Sequence, residues 1–571
     1  MEADKSFDNL SNKPVGIVVK TASPLSFDVL LDESSFVQLD DVLVCKSVVK
    51  RYNENIEVKF YGVVIELIKY LEGVDILYQE IKAKEGVLPV HPVYLAKINV
   101  NRIEPQYYLP PKPGDEVFKA FGEDRDKGLF FDAMETKIPA GLSQDGLPVY
   151  INYNFINGKD GAHISISGMS GVATKTSYSL FLINSIIQKS QDKPKFVIFN
   201  VKGKDLLFLD KENVRFKEED KKKFDIMGLE PKPFKDVAFY CPPEKPDSQN
   251  PMGAARYDVD KYGFSMKDFA SERLLKYMFV ENDQEISNLN FIIDRIASKL
   301  YELSKTSDTL IDDKAGREIK DLDDLHELLQ EVYDDKDNDK ERYYSWFGRN
   351  TSSQSIEAFL RRFAFGKKYI RKLIKKETST HIKNITKEFL ENMHTLNVID
   401  ISDLHSVGKM FVVGVILDKI FKQREESGVS DPKIFVLLDE LNKYAPKEGW
   451  SPIKDTLLDI AERGRSLGVI LIGAQQTASE VEKRIVANSA IKVVGRLDTA
   501  ELSGEQYGFL SKSLKQRVSM LKKGSMVLYQ PDIPTPTVVS VPMPPWATRK
   551  EEVKDDEESK KVLDDFRNIF G

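Results

Sequence analysis

The chain has 571 residues, 41% hydrophobic and 30% charged, ordinary globular values that exclude a disordered or membrane-embedded class. One compact core cannot serve a chain of this length, so about two to four domains are expected. The formal net charge of −7 means that any contact with nucleic acid has to come from a local basic patch, which excludes a simple DNA-coating protein.

The stretch from Met1 to Pro14 is polar and acidic, without the basic and then apolar order of a signal peptide. Two cysteines, Cys45 and Cys241, stand in no C-x-x-C or Cys/His spacing that holds a metal. They read as structural thiols in a reducing cytoplasm, so the expected location is cytoplasmic. From Gly16 to about Val100 short β-branched runs alternate with turn residues: Val18 and Val19, Phe27 to Leu31, Val42 to Cys45, Val58 to Val64, and Val93 to Ile98. Strands at that spacing predict a small antiparallel barrel. Pro110-Pro-Lys-Pro-Gly114 reads as the linker out of it.

Beyond the linker come continuous apolar runs: His163 to Ser167, Lys195 to Val201, Asp236 to Cys241, Leu396 to Ile401, Ile434 to Leu438, Val469 to Ile472, and Ile491 to Val494. Such runs fit strands buried on both faces of a mostly parallel sheet, hence an α/β core in two sequence segments. None is long enough to span a bilayer, and no membrane partner is expected.

The first core strand, ending at Ser167, runs into Gly168-Met-Ser-Gly-Val-Ala-Thr-Lys175-Thr176, followed by a mostly apolar helix over Tyr178 to Ile187. Strand, glycine-containing turn, Lys-Thr and helix is the layout of a P-loop. Its chemistry needs backbone N–H groups aimed at phosphate oxygens, a lysine for the terminal phosphates and a hydroxyl on Mg²⁺. The candidate phosphate-binding residues are Gly168, Ser170, Gly171, Val172, Ala173, Thr174, Lys175, Thr176 and Ser177. The usual spacing G-x-x-x-x-G-K-T is not met: Thr174 stands where a glycine is expected, and Gly168 lies one residue further from Lys175. Threonine restricts φ and adds bulk where backbone has to approach phosphate. A strand, turn and helix with a chance Lys-Thr explains the same letters. Lys202-Gly-Lys204-Asp205, after the next core strand, is a candidate for reaching a ring pore.

Between the core segments, from Ser265 to Glu391, the chain reads as a charged helical insertion. Ser265 with Asp268 gives an N-cap signal, and Ile286, Leu289, Ile293, Ile296, Leu300 and Leu303 keep a helical stripe. Arg361-Arg362 and the run Lys367, Lys368, Arg371, Lys372, Lys375 and Lys376 interleave with Phe363, Phe365 and Tyr369. That pattern suits nucleic acid, and equally an amphipathic helix with a solvated basic face.

The strand ending at Leu438 leads into Asp439-Glu440, two carboxylates at the strand end where open α/β sheets bind ligands. Asp439, with Thr176, is the candidate Mg²⁺ holder, and Glu440 the group that orients the attacking water. A strand exiting into an acidic loop is the plainer alternative. Arg463 and Arg465 close a helix that starts near Ile453, where cations also simply suit the dipole. Gln475 and Gln476 end the following strand, as candidate γ-phosphate sensors or as ordinary strand-end capping. From Thr548 a charged tail ends in Val562, Phe566, Ile569 and Phe570, a candidate docking helix.

Three segments together, Val436-Leu-Leu-Asp-Glu-Leu-Asn-Lys-Tyr-Ala-Pro446, Glu462-Arg-Gly-Arg-Ser-Leu-Gly468 and Gly473-Ala-Gln-Gln-Thr477, resemble the HerA branch of the HerA/FtsK ATPases. The likeness runs on through Val486 to Leu497. Leu396-Asn-Val-Ile-Asp-Ile-Ser-Asp-Leu404 is similar to the core strand before that family's acidic pair. The resemblance implies a RecA-like P-loop core behind a HerA-type barrel. Expected boundaries are 1–122 for the barrel, 123–264 and 395–545 for the two core segments, 265–394 for the insertion and 546–571 for the tail. It further implies a homo-hexamer that binds ATP and Mg²⁺ at subunit interfaces, with Gln476 as sensor and Arg465 as an arginine finger on a neighbour's nucleotide. The activity it implies is ATP hydrolysis coupled to translocation on double-stranded DNA, helicase-like. The expected partner is a nuclease or other effector, for example sirtuin-like or NurA-like, in antiphage defence. A ring-shaped scaffold that uses nucleotide to assemble and activate an effector is the second reading, motivated by Thr174. A motor for conjugative transfer usually carries membrane segments, whose absence counts against it.

Overall fold

The computed structural model describes residues 13–71, 92–169, 175–203, 205–253, 256–279, 286–306, 309–312, 316–376, 379–386 and 388–554. The described residues form two compact units, one from 13–155 with 491–541 and the other from 156–490 with 542–554.

In the first unit six strands close a barrel, in the order Gly16–Ala22, Ser26–Leu31, Pro92–Glu104, Glu54–Leu71, Val42–Arg51 and Glu116–Lys119. Alternation drives it: Val18, Phe27, Val29, Leu43, Cys45, Val58, Phe60, Ala96 and Ile98 fill the interior, while their neighbours face outward. Burial pushes the Cys45 thiol up to about 12, so it stays protonated and inert. The Pro110 to Gly114 segment is not the way out of the barrel. The chain re-enters as Glu116–Lys119, which pairs with Gly16–Ala22 on one side and Val42–Arg51 on the other and completes closure. Four residues with one buried position, Val117, give too short a run to read as a strand beforehand. The same unit holds a sheet of Ile491–Val494, Ser525–Gln530, Ile533–Ser540, Lys137–Leu142 and Pro148–Asn152. Ile491–Val494 is a strand, as its apolar run suggested, and pairs antiparallel with Ser525–Gln530. Arg517 holds Asp40 through two nitrogens at 2.9 and 2.6 Å.

The second unit is built on eight parallel strands in the order Ile382–Asn384, Asp260–Gly263, Val237–Cys241, Leu396–Asp400, Lys195–Asn200, Ile434–Asp439, Val469–Gln475 and Ile164–Ser167. The five strands from Leu396–Asp400 to Ile164–Ser167 are buried almost throughout, as their unbroken apolar sequences require. The helical insertion belongs to this unit. Ser265 Oγ accepts from the Asp268 backbone N–H at 3.0 Å and starts the helix Met266–Ser271. In the helix Ile286–Thr306 the stripe residues Leu289, Ile293, Ile296, Leu300 and Leu303 are buried, while the Ile286 side chain lies outside the described residues. The insertion is not helical to its end: Ile382–Asn384 returns as an edge strand beside Asp260–Gly263. The expected α/β class, with a barrel and a helical insertion, is borne out. Among the described residues no helix is long and apolar enough to cross a membrane. Val562, Phe566, Ile569 and Phe570 lie outside the described residues.

Candidate nucleotide site

Five neighbouring strands of the parallel sheet end in polar residues at their C-terminal edge: Asp400, Asn200, Asp439, Gln475 and Ser167. Strand interiors this apolar tolerate polar side chains only where they find partners or a ligand. Asn200 Nδ2 donates to Asp400 Oδ1 at 3.0 Å, and Gln475 Nε2 donates to Ser165 Oγ at 2.8 Å and Ser167 Oγ at 3.1 Å. Gln475 Oε1 is buried and accepts no hydrogen bond among the described residues.

Lys175 opens the helix Lys175–Lys189, directly behind the strand Ile164–Ser167. Its side chain is buried, and its amine donates to the Gly168 carbonyl at 2.7 Å. Burial pulls the Lys175 pKa down, and Asp439 partly restores it. A desolvated ammonium resting on a backbone carbonyl, that of Gly168, at a helix N-terminus is a group in want of an anion. Thr176 Oγ1 lies 3.4 Å from Asp439 Oδ2 although 263 residues separate them. A hydroxyl beside a carboxylate is a hard oxygen pair of the kind Mg²⁺ takes, and an ammonium beside it fits nucleotide phosphates. The residues present thus suit both groups. Ser177 is half-buried on the same helix. Ser170, Gly171, Val172, Ala173 and Thr174 lie outside the described residues.

Asp439 Oδ1 accepts from the Glu440 backbone N–H at 2.9 Å. Glu440 itself has φ +58°, the left-handed region, and heads the short helix Leu441–Tyr444. Its Oε1 takes an ion pair from Lys202 at 2.7 Å and its Oε2 one from Lys443 at 2.5 Å. Burial raises the Glu440 pKa, but the hydrogen bonds from the two lysines outweigh it and leave the carboxyl below its ordinary value. Lys202, read from sequence as a pore candidate, is a partner of Glu440 in this structure. Pairing of the neighbouring strands brings Lys202 to the carboxylate, whereas Lys443 reaches it from three residues along the chain.

Arg465 lies in the last turn of the helix Lys454–Leu467 and is exposed. Its Nε donates to the Gly158 carbonyl at 3.0 Å, and its guanidinium also reaches the Lys159 carbonyl. Gly158, at φ +92°, has no room for a Cβ, which would stand 2.9 Å from the Arg465 carbonyl. Arg463 is paired with Glu425. Gln476 is exposed in the bend after the strand, whereas Gln475 is fully buried inside it.

The basic run over 361–376 does not make one face. Lys367 pairs with Asp323 at 2.7 Å, Lys372 donates to Met252 Sδ at 3.0 Å, Lys375 to the Ile382 carbonyl at 2.9 Å, and Lys376 lies 3.6 Å from Asp247. Phe363 is buried, and Tyr369 stacks on His405 with ring centres 3.7 Å apart. Arg361, Lys368 and Arg371 are exposed. The interleaved pattern arises largely because this segment packs on its own unit.

No protein-family model and no curated protein matches the sequence. Among solved structures, the chain is similar to the bacterial conjugative coupling protein TrwBdeltaN70 in its trigonal form with sulphate, at 11% identity and TM-score 0.48 over 75% of this chain and 95% of that one. It is also similar to the plasmid coupling protein TrwB in complex with ADP and Mg²⁺, at 11% identity and TM-score 0.44 over 73% and 92% of the two chains. A third similar structure is VirB4 of Thermoanaerobacter pseudethanolicus, at 14% identity and TM-score 0.42 over 72% and 98%.

Proposed function

We propose that this chain is an ATP-hydrolysing motor that acts on double-stranded DNA as a homo-hexamer, with ATP and Mg²⁺ bound at the edge of the parallel sheet. The reading is carried by one observation: Lys175 and Thr176 at the head of one helix meet Asp439 and Glu440 at the end of one strand, at the edge of the sheet. In it Lys175 binds phosphate oxygens, Thr176 and Asp439 hold Mg²⁺, and Mg²⁺ supplies charge neutralisation for the leaving phosphate. Glu440 orients and polarises water, Gln476 senses the terminal phosphate, and Arg465 acts on the nucleotide of a neighbouring subunit. The backbone N–H groups of Gly168, Ser170, Gly171, Val172, Ala173 and Thr174 complete the phosphate cradle with Ser177. The motor works with an effector, a nuclease or related enzyme, in antiphage defence.

A second reading keeps the ring and drops the motor: nucleotide assembles and activates an effector, with little translocation. Thr174 in place of the usual glycine favours it. ATPase assays of the full chain separate the two, comparing wild type with Lys175→Ala and Glu440→Gln, with and without duplex DNA. The motor predicts a wild-type rate stimulated by DNA and about a hundredfold loss in each variant. A wild-type rate no higher than the variants, with DNA and partner present, leaves only the scaffold.

A further inference from the structure

Glu440 is clamped on both oxygens. Lys202 Nζ stands at 2.7 Å from Oε1 and Lys443 Nζ at 2.5 Å from Oε2. The accessibilities are unequal: 14% of the Glu440 side chain is exposed, against 45% for Lys202 and 65% for Lys443. An external anion therefore reaches the two ammonium groups before the carboxylate. The lysines sit on independent supports, Lys202 in the turn after the strand Lys195–Asn200 and next to Gly203 at φ +55°, Lys443 on the helix Leu441–Tyr444.

Further charges surround the pair. Lys409, on the helix Ser406–Ser427, donates to the Val201 carbonyl at 3.0 Å. Its pKa is lowered by burial and then by Lys443, against Glu440, Asp400 and Asp403. Asp439, Lys202 and Glu440 also act electrostatically on the Lys175 ammonium. Lys175, Lys202, Lys409 and Lys443 come from separate elements and meet four carboxylates here, Asp400, Asp403, Asp439 and Glu440. Lys202 and Lys443 are more exposed than the carboxylate they hold, so a polyanion meets their charge first.

A carboxylate with both oxygens engaged by ammonium groups is a poor acceptor for a proton of water, because the lone pairs it needs are taken. Half-exposed ion pairs are weak and screened by salt, so a few phosphodiester contacts suffice to exchange their partners. We propose that Lys202 is a positioning residue that holds Glu440 out of action together with Lys443, and that the phosphodiester backbone of duplex DNA draws Lys202 away and frees Glu440. DNA binding and hydrolysis are then coupled by one exchange of ion-pair partners. The inference rests on the ATPase reading of this site.

The test uses the full chain with ATP and Mg²⁺, comparing wild type, Lys202→Met and Lys202→Arg with and without duplex DNA. Lys202→Met raises the DNA-free rate about fivefold and cuts stimulation by DNA to less than about twofold, since the variant already sits in the released state. Lys202→Arg keeps the wild-type pattern. Salt acts with opposite signs on wild type, raising the DNA-free rate by loosening the clamp and lowering the DNA-stimulated rate by weakening DNA binding. A second readout needs no turnover: a water-soluble carbodiimide forms an amide between Lys202 and Glu440 in the free protein, detected by mass spectrometry, and saturating duplex DNA suppresses it. If Lys202→Met lowers both rates in parallel, or the cross-link persists unchanged with DNA, the clamp is wrong while the ATPase reading stands. If wild type hydrolyses no ATP under any condition, the ATPase reading falls and the coupling falls with it.

Discussion

Thr176 and Asp439 face one another at 3.4 Å, beyond the range of a good hydroxyl–carboxylate hydrogen bond. The hydroxyl is thus weakly committed, and its proposed task is to hold Mg²⁺ together with Asp439. Thr176→Val keeps the shape and removes the oxygen. It is expected to weaken Mg²⁺-dependent nucleotide binding about tenfold, the worth of one lost polar contact, and to leave binding in a chelator unchanged. Isothermal titration in the two buffers decides, and an equal loss in both would show that the hydroxyl serves packing alone. As candidates, Asp439 and Glu440 were legible because they follow an apolar run that ends as a strand, and Lys175 and Thr176 because a glycine-containing turn and Lys-Thr precede an apolar helix. Lys202 was not legible as a partner of Glu440, whereas Lys443 stands only three residues from it. Which side chains face each other across a sheet depends on strand order, and the strand Lys195–Asn200 lies beside Ile434–Asp439 only after the chain has passed through the whole insertion. The same applies to Gln475: the letters Gln475-Gln476 do not say that the first turns inward onto Ser165 and Ser167.

At the scale of elements, the helix Lys454–Leu467 is fastened to the strands Ile164–Ser167 and Val469–Gln475 through a buried histidine. His163 Nδ1 accepts from the Leu471 backbone N–H at 2.9 Å, and a Cβ on Gly464 would lie 3.5 Å from the ring. Burial lowers the His163 pKa from 6.5 to about 4, so the folded state holds the neutral ring. Between those values the unfolded chain binds a proton that the native state refuses. The stabilisation is complete above the unfolded pKa and is lost as pH falls from about 6.5 toward 4, in total about 3 kcal/mol. His163→Asn keeps an acceptor and removes the titration. The difference in unfolding free energy between wild type and variant, from denaturant melts at a series of pH values, is expected to shrink across that window. A constant difference would mean that the ring is protonated in the fold. Long elements of this unit were readable because burial on both faces leaves an unbroken apolar run. The strand Asp260–Gly263 and the edge strand Ile382–Asn384 were not, since three or four residues of mixed polarity carry no period.

For the whole molecule, the sequence order hides that residues 491–541 fold with the N-terminal unit. Ile491–Val494 has the composition of a buried core strand, and its own letters do not show that it pairs antiparallel with Ser525–Gln530. The proposed hexamer adds a question that one chain cannot answer by itself, namely whose nucleotide Arg465 serves. Within its own chain the guanidinium is exposed and spends its donors on the carbonyls of Gly158 and Lys159. A side chain so placed can exchange weak backbone contacts for phosphate charge on a neighbour. Subunit mixing tests this. Lys175→Ala and Arg465→Ala are each expected to be inactive as pure proteins, Arg465→Ala with nucleotide binding retained. In a one-to-one mixed assembly, about a quarter of the interfaces join an intact Lys175 to a neighbour's intact Arg465, so about a quarter of the wild-type ATPase rate returns if interfaces fire independently. A mixture as inactive as its parts would place Arg465 at its own subunit's nucleotide. A wild-type rate in pure Arg465→Ala would remove it from the reaction altogether and leave it as the tie between the helix Lys454–Leu467 and the loop at Gly158.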